Sequence, residues 1–156
     1  MPAERAAWRE ILPQQTATLA SVDDLGRMFV ATFLEDAASR VRCYARDGKL
    51  LRELTLDGIG SVGGFSGRSD DTETFFTFTS FTTPATVYRL DLATGEKRVF
   101  FAPKVAFDPT AFVVRQVFVP TKDGTRVPVF LVHRKGVKLD GSNPTLLYGY
   151  GGFNVS

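Results

Sequence analysis

Short runs in which apolar and polar side chains alternate cover most of the chain. They fall at residues 17–22, 28–34, 41–46 and 49–56, and again at 60–65, 74–80, 86–91 and 97–102. Successive strand residues point to opposite faces, so a period of two predicts half-buried β-strands. Turn-formers separate the runs. Asp47-Gly48 marks a hairpin, because glycine takes positive φ without a Cβ clash, and Thr94-Gly95 sits in the last turn. The two sets of four are alike. Val41-Arg42-Cys43-Tyr44 and Leu50-Leu51-Arg52-Glu53 parallel Val87-Tyr88-Arg89-Leu90 and Lys97-Arg98-Val99-Phe100. The offset of about 46 residues matches β-propeller blades, although a β-sandwich would also supply short strands at this spacing. Helical periodicity is nearly absent. Only residues 3–12 could turn briefly, and Pro13 would stop them.

After Phe101 the texture changes. Ala102-Pro103 and Asp108-Pro109 bracket a linker-like stretch. A longer strand over 112–119 follows, turned by Asp123-Gly124 into another over 126–133. A basic, turn-rich loop from Arg134 to Pro144 leads to a short apolar strand, Thr145-Leu146-Leu147-Tyr148, which runs into Gly149-Tyr150-Gly151-Gly152-Phe153.

Composition supports β structure, with 14 Phe, 14 Gly and 8 Pro among 156 residues. The chain is 44% hydrophobic, enough for a core. A formal net charge of +2, spread along the chain, gives no electrostatic case for nucleic acid or an anionic membrane. The single Cys43 excludes an intramolecular disulfide and a cysteine-only zinc site, and the single His133 excludes a multi-histidine metal site. Residues 1–12 lack the apolar run of a signal peptide, and no stretch approaches the roughly 18 apolar residues of a membrane span. The expectation is a soluble, cytoplasmic protein.

The glycine loop 149–153 carries the strongest chemical hint. A buried strand ending in a glycine-rich loop is where an α/β-hydrolase places its oxyanion hole, since glycines let donors approach a developing oxyanion closely. On pattern alone, a tight turn leaving a strand is the favoured reading of the same residues. A dinucleotide fingerprint fails, because Asn154 stands where the third glycine belongs. Gly64-Phe65-Ser66-Gly67 begins like a nucleophile elbow, but Arg68 replaces the final glycine and no helix follows, so Ser66 reads as a turn residue. His133 has no carboxylate placed to orient it as triad chemistry requires, and reads as a strand-end histidine with a polar partner. The acid pairs Asp23-Asp24, Asp70-Asp71 and Glu35-Asp36 fall in predicted turns. Cys43 reads as a small core residue, and Arg134, Lys135 and Lys138 as solvated surface. No complete active site can be assembled from these residues.

The stretch from Gly124 to Gly141 (GTRVPVFLVHRKGVKLDG), followed by Tyr148-Gly149-Tyr150-Gly151-Gly152-Phe153, closely resembles the prolyl oligopeptidase family of post-proline-cleaving serine peptidases. Upstream, Gly60 to Gly67 and Phe78 to Pro84 look like the last blades of that family's propeller. The resemblance covers nearly the whole chain. It implies a mostly β chain of two β-propeller blades, residues 1–104, followed by the first strands of an α/β-hydrolase domain, residues 105–156. It further implies that Tyr150 donates its hydroxyl to the oxyanion and that Phe153 lines the pocket for the proline ring. No cofactor and no metal are implied. Partners would be short proline-containing peptides, with no nucleic acid and no membrane, and the parent would be a monomer. The family's Ser, Asp and His lie downstream of the glycine motif, so the chain is expected to be a truncated and inactive piece. Open sheet edges, Phe130 and Leu146-Leu147 are expected to be exposed and to promote association. A free-standing β-rich binding module without chemistry is the alternative.

Overall fold

The period-two runs fold as two four-stranded antiparallel meanders and one hairpin. In the computed structural model, which describes residues 4–149, the first sheet contains β1 (Thr18–Leu25), β2 (Met28–Glu35), β3 (Ala38–Ala45) and β4 (Leu50–Glu53) in sequence order. The second repeats that order with β5 (Ser61–Gly63), β6 (Glu73–Thr79), β7 (Thr86–Asp91) and β8 (Lys97–Phe101). β9 (Phe112–Pro120) and β10 (Arg126–Arg134) pair only with each other among the described residues. The helical turn expected near the start is one 3-10 turn, Arg5–Ala7.

The core lies between the two sheets. Leu25, Met28, Val30, Val41, Cys43 and Leu54 from the first side meet Phe65, Phe76, Phe78, Tyr88, Leu90 and Leu92 from the second. Phe76 is stacked on both sides, 5.0 Å from Phe65 and 5.2 Å from Tyr88 between ring centroids. The opposite face of the first sheet is also covered. Ala31, Phe33 and Tyr44 are buried there, with Leu12, Ala17 and Phe29 packed against them. This explains why β2 carries apolar side chains on both faces. Cys43 is a buried core residue, as the sequence suggests.

Polar contacts join the sheets at both ends. At the end holding the β2–β3 turn and the β6–β7 loop, the Ser39 amide donates to the Gly60 carbonyl at 2.9 Å, and the Val62 amide to Ser39 Oγ at 3.0 Å. Gly60 is needed there, because a Cβ would sit 2.2 Å from the Thr79 carbonyl oxygen. At the other end the Arg52 guanidinium donates to the Ala93 carbonyl at 2.7 Å. On the connector between the sheets, Asp57 accepts from the Tyr88 hydroxyl and from Lys97 Nζ, and Lys97 lies 5.0 Å from the Tyr88 ring centroid.

Two sequence expectations change. Asp23 and Asp24 lie inside β1, not in a turn. The outer face of that edge strand is exposed, and Asp24 pairs with Arg46 at 2.8 Å. Thr145–Tyr148 forms no strand, because no described strand runs beside it to complete a ladder.

The central position of Phe76 gives one test. Phe76→Ala should destabilise the chain by about 3–5 kcal/mol, the usual cost of emptying a buried aromatic site. Phe100→Ala, at a residue 66% exposed, should cost far less. Urea melts of both variants decide the matter. The Asp57 cluster gives another. Partial burial pushes the Asp57 carboxyl up, but its bonds from Lys97 and Tyr88 outweigh that and hold it below 3.8. Burial, then Asp57, pushes the Tyr88 phenol up to about 12. The Asp57 contribution should be present above pH 3.8 and fade as the pH falls through the lower folded value. The Tyr88 contribution should be intact below pH 10 and fade towards about 12. Melting curves against pH should therefore show a smaller acid limb in Asp57→Asn and a smaller alkaline limb in Tyr88→Phe. Unchanged limbs would remove this cluster from the stability of the fold.

Candidate functional site

The chain after β8 is built from local caps and one long hairpin. Asp108 accepts from the Thr110 amide at 2.9 Å and starts a 3-10 turn, Pro109–Ala111. β9 and β10 then pair without a register slip, from Phe112↔Arg134 to Pro120↔Arg126. Their turn is held by Asp123, which accepts from the Thr125 amide at 3.0 Å and from the Thr121 hydroxyl. After β10, Asp140 accepts from the Ser142 hydroxyl at 2.6 Å and amide at 3.0 Å. Hydrogen bonds from Thr110 and Ser142 lower the Asp108 and Asp140 carboxyls, and those from Thr121 and Thr125 take Asp123 to about 2. All three carboxylates of residues 104–149 are thus committed to local turns.

His133 is likewise bonded locally. Its Nδ1 faces the Arg134 carbonyl oxygen at 2.8 Å, so the imidazole is held by its own strand end and not by a carboxylate. Its Nε2 is buried without a hydrogen-bond partner. Ser66 lies in the β5–β6 loop, at the opposite end of β6 from the loop that contacts the hairpin. The Ser66 amide and carbonyl bond to the Thr74 hydroxyl at 3.4 and 2.8 Å, a strand-joining role. Ser66 and His133 are not brought together, in agreement with the reading of both as structural.

The hairpin seats against the sheets. Phe130 is half-buried with its ring 5.4 Å from that of Phe81, which corrects the expectation that it is exposed. Gln116 Nε2 donates to the Asp36 carbonyl. Arg126 lies 4.4 Å from the Phe118 ring and Arg134 5.4 Å from the Phe112 ring, so both guanidinium groups cover aromatic faces. Lys135 and Lys138 are on the surface, Lys135 exposed and Lys138 likewise.

The segment leading to the glycine motif is open, with Leu146, Leu147 and Tyr148 at 91, 89 and 82% exposure. Gly149 is described; Tyr150 and Phe153, the expected oxyanion donor and proline contact, lie outside the described residues. Elsewhere, a cavity of about 360 Å³ lies between residues 12–19 and Phe33 and has no titratable side chain in its lining. A second, of about 220 Å³, is lined by Glu73, Arg89, Asp91, Glu96 and Arg98, whose arginines pair with Glu73 and Glu96. Among the described residues no His, Cys, Asp and Glu group could hold a metal ion, and no helix is long and apolar enough to cross a membrane. Sequence reasoning missed the Asp57–Tyr88–Lys97 cluster and the Gln116–Asp36 contact. Their partners are 31, 40 and 80 residues apart, and no local motif links them.

Residues 2–103 match the family model of the prolyl oligopeptidase N-terminal β-propeller domain. A prolyl endopeptidase from Elizabethkingia miricola is 40% identical over 149 residues, 96% of this chain and 21% of that relative. The counterpart from Elizabethkingia meningoseptica is 38% identical over the same length. Among solved structures, one from a study of two prolyl endopeptidases matches with a TM-score of 0.87 at 44% identity, covering 97% of this chain and 23% of that one. Prolyl oligopeptidase B from Galerina marginata, bound to a 35mer hydrolysis and macrocyclization substrate, matches at 0.80 and 33%, covering 92% and 21%. The chain therefore spans about a fifth of the length of the curated relatives it matches. With its two four-stranded sheets inside the matched propeller region, the chain belongs to the prolyl oligopeptidase family.

Proposed function

We propose that this chain is the part of a post-proline-cleaving serine endopeptidase where the propeller passes into the peptidase unit. Residues 1–104 are then two propeller blades, and 105–156 the opening strands of an α/β-hydrolase domain. One observation carries this reading. The propeller model ends at residue 103, yet the likeness to prolyl endopeptidases extends over 149 residues and so runs on beyond it. The hairpin supports it. β9 and β10 carry apolar side chains on both faces, with Val114, Phe118 and Phe130 on one and Val117, Val129 and Leu131 on the other. That pattern suits a sheet covered on both sides.

In this reading Tyr150 supplies a hydroxyl to the tetrahedral oxyanion, and Phe153 packs on the proline ring of a short peptide substrate. The nucleophile, base and orienting acid come from outside these 156 residues, so the chain by itself does not hydrolyse peptides. No cofactor enters the reaction. The parent acts as a monomer on peptides, away from nucleic acid and membranes, and the lone thiol of Cys43 suits a reducing, cytoplasmic setting.

The test is Tyr150→Phe in the full-length enzyme. The substitution keeps the ring and removes the donor. A donor aimed at an oxyanion stabilises the transition state more than the substrate, so kcat should fall by about 10²–10³ with KM little changed. Tyr148→Phe should be mild. If both variants kept kcat within about twofold, far from the usual oxyanion-donor loss, Tyr150 would not hold that role. The isolated chain should not react with a fluorophosphonate probe; stoichiometric labelling abolished by Ser66→Ala would overturn the assignment of the nucleophile to another part of the protein.

A further inference from the structure

Gln116 and Phe130 face each other across the β9–β10 ladder and share one face of the hairpin. They reach different sheets. Gln116 Nε2 bonds to the Asp36 carbonyl, in the β2–β3 turn of the first sheet. Phe130 packs on Phe81, in the β6–β7 loop of the second. The same end of the molecule holds the bonds that join the two sheets, Ser39 amide to Gly60 carbonyl and Val62 amide to Ser39 Oγ. The landing point on the first sheet is conformationally unusual. Asp36 and Ala37 have φ of 51° and 61°, and an alanine there carries a Cβ where glycine is preferred. Such a conformation persists where its surroundings over-determine it, and the Gln116 bond to the Asp36 carbonyl is one such restraint.

We infer that the β9–β10 hairpin clamps the two sheets together at this end, through one cross-strand pair that places Gln116 on the first sheet and Phe130 on the second. Docking of the hairpin and packing of the sheets then stabilise each other, since a coupling free energy acts equally in both directions. Phe81, Gln116 and Phe130 are positioning residues in this arrangement. The inference concerns residues 36–134 alone and stands whether or not Tyr150 serves an oxyanion.

Amide hydrogen exchange on the 156-residue chain tests it, because exchange reports local opening site by site. In Phe130→Ala, exchange should accelerate by about two- to tenfold, the worth of one aromatic pair. The acceleration should appear both in the β9–β10 ladder and at the Ser39 and Val62 amides. Gln116→Ala should accelerate the same set. The Leu92 amide, bonded to the Thr72 carbonyl at the far end of the sheets, should stay unchanged. Acceleration in the ladder with Ser39 and Val62 unaffected would overturn the clamp, as would no change at either place. If Leu92 accelerates equally in Phe130→Ala, Phe81→Ala decides. Phe81 is 64% exposed on a loop outside the core, so its loss should leave the core folded. Uniform acceleration in that variant as well would also overturn the inference.

Discussion

Everything in this chain depends on the apolar contact between its two sheets. A four-stranded meander has a face to bury and cannot bury it alone. Here Phe65, Phe76 and Tyr88 stack in a continuous column against Val30, Val41 and Cys43. Each fully buried large side chain contributes about 1.5–3 kcal/mol, so this contact outweighs the exposed ion pairs, which contribute roughly 0–1 kcal/mol each. The polar contacts have a different role. Ser39, Gly60 and Val62 at one end, and Arg52 with Ala93 at the other, set the angle and register at which the apolar faces meet. The hairpin seat follows from that alignment. Gln116 and Phe130 can reach two sheets only because the β2–β3 turn and the β6–β7 loop lie at one end.

What was legible in the sequence was what a single strand encodes. Period-two alternation and turn residues located all eight strands of the meanders, the longer apolar runs on either side of Asp123-Gly124 located the hairpin, and the similarity of the two sets anticipated two sheets of equal order. Cys43 read correctly because an apolar strand position needs a small filler. The misreadings share a cause. Asp23 and Asp24 look like turn residues until β1 proves to be an edge strand with an open face and Arg46 across from it. Thr145–Tyr148 looks like a strand because its side chains are apolar, but a strand also needs a neighbour to hydrogen-bond. Phe130 looks exposed until Phe81 arrives from nearly fifty positions away in the chain. Pairing partners are a property of the fold, and local pattern does not contain them.

The same distinction applies to the acids between residues 104 and 149. Asp108, Asp123 and Asp140 each accept hydrogen bonds from Ser or Thr within two residues. These bonds favour the ionised form and leave no lone carboxylate near His133 to orient an imidazole. The sequence already hinted at this, since each acid stands two residues before a Ser or Thr. Post-propeller acids in this chain shape turns, and their depressed titration is a sign of capping and not of a catalytic acid.

The proposed oxyanion donor imposes a demand on residues that do no chemistry. A hydroxyl on a glycine-rich loop stabilises a transition state only when it is held within hydrogen-bonding reach of the developing charge. Glycines cannot supply that rigidity, because their own backbone freedom is what lets the loop approach the substrate. The constraint has to come from the segment before it. Leu146 and Leu147 are adjacent, and both are almost fully exposed here. Burying both of them under apolar cover would fix the segment in position. Under the proposed reading, cover over Leu146 and Leu147 is where the positioning of the Tyr150 donor would come from.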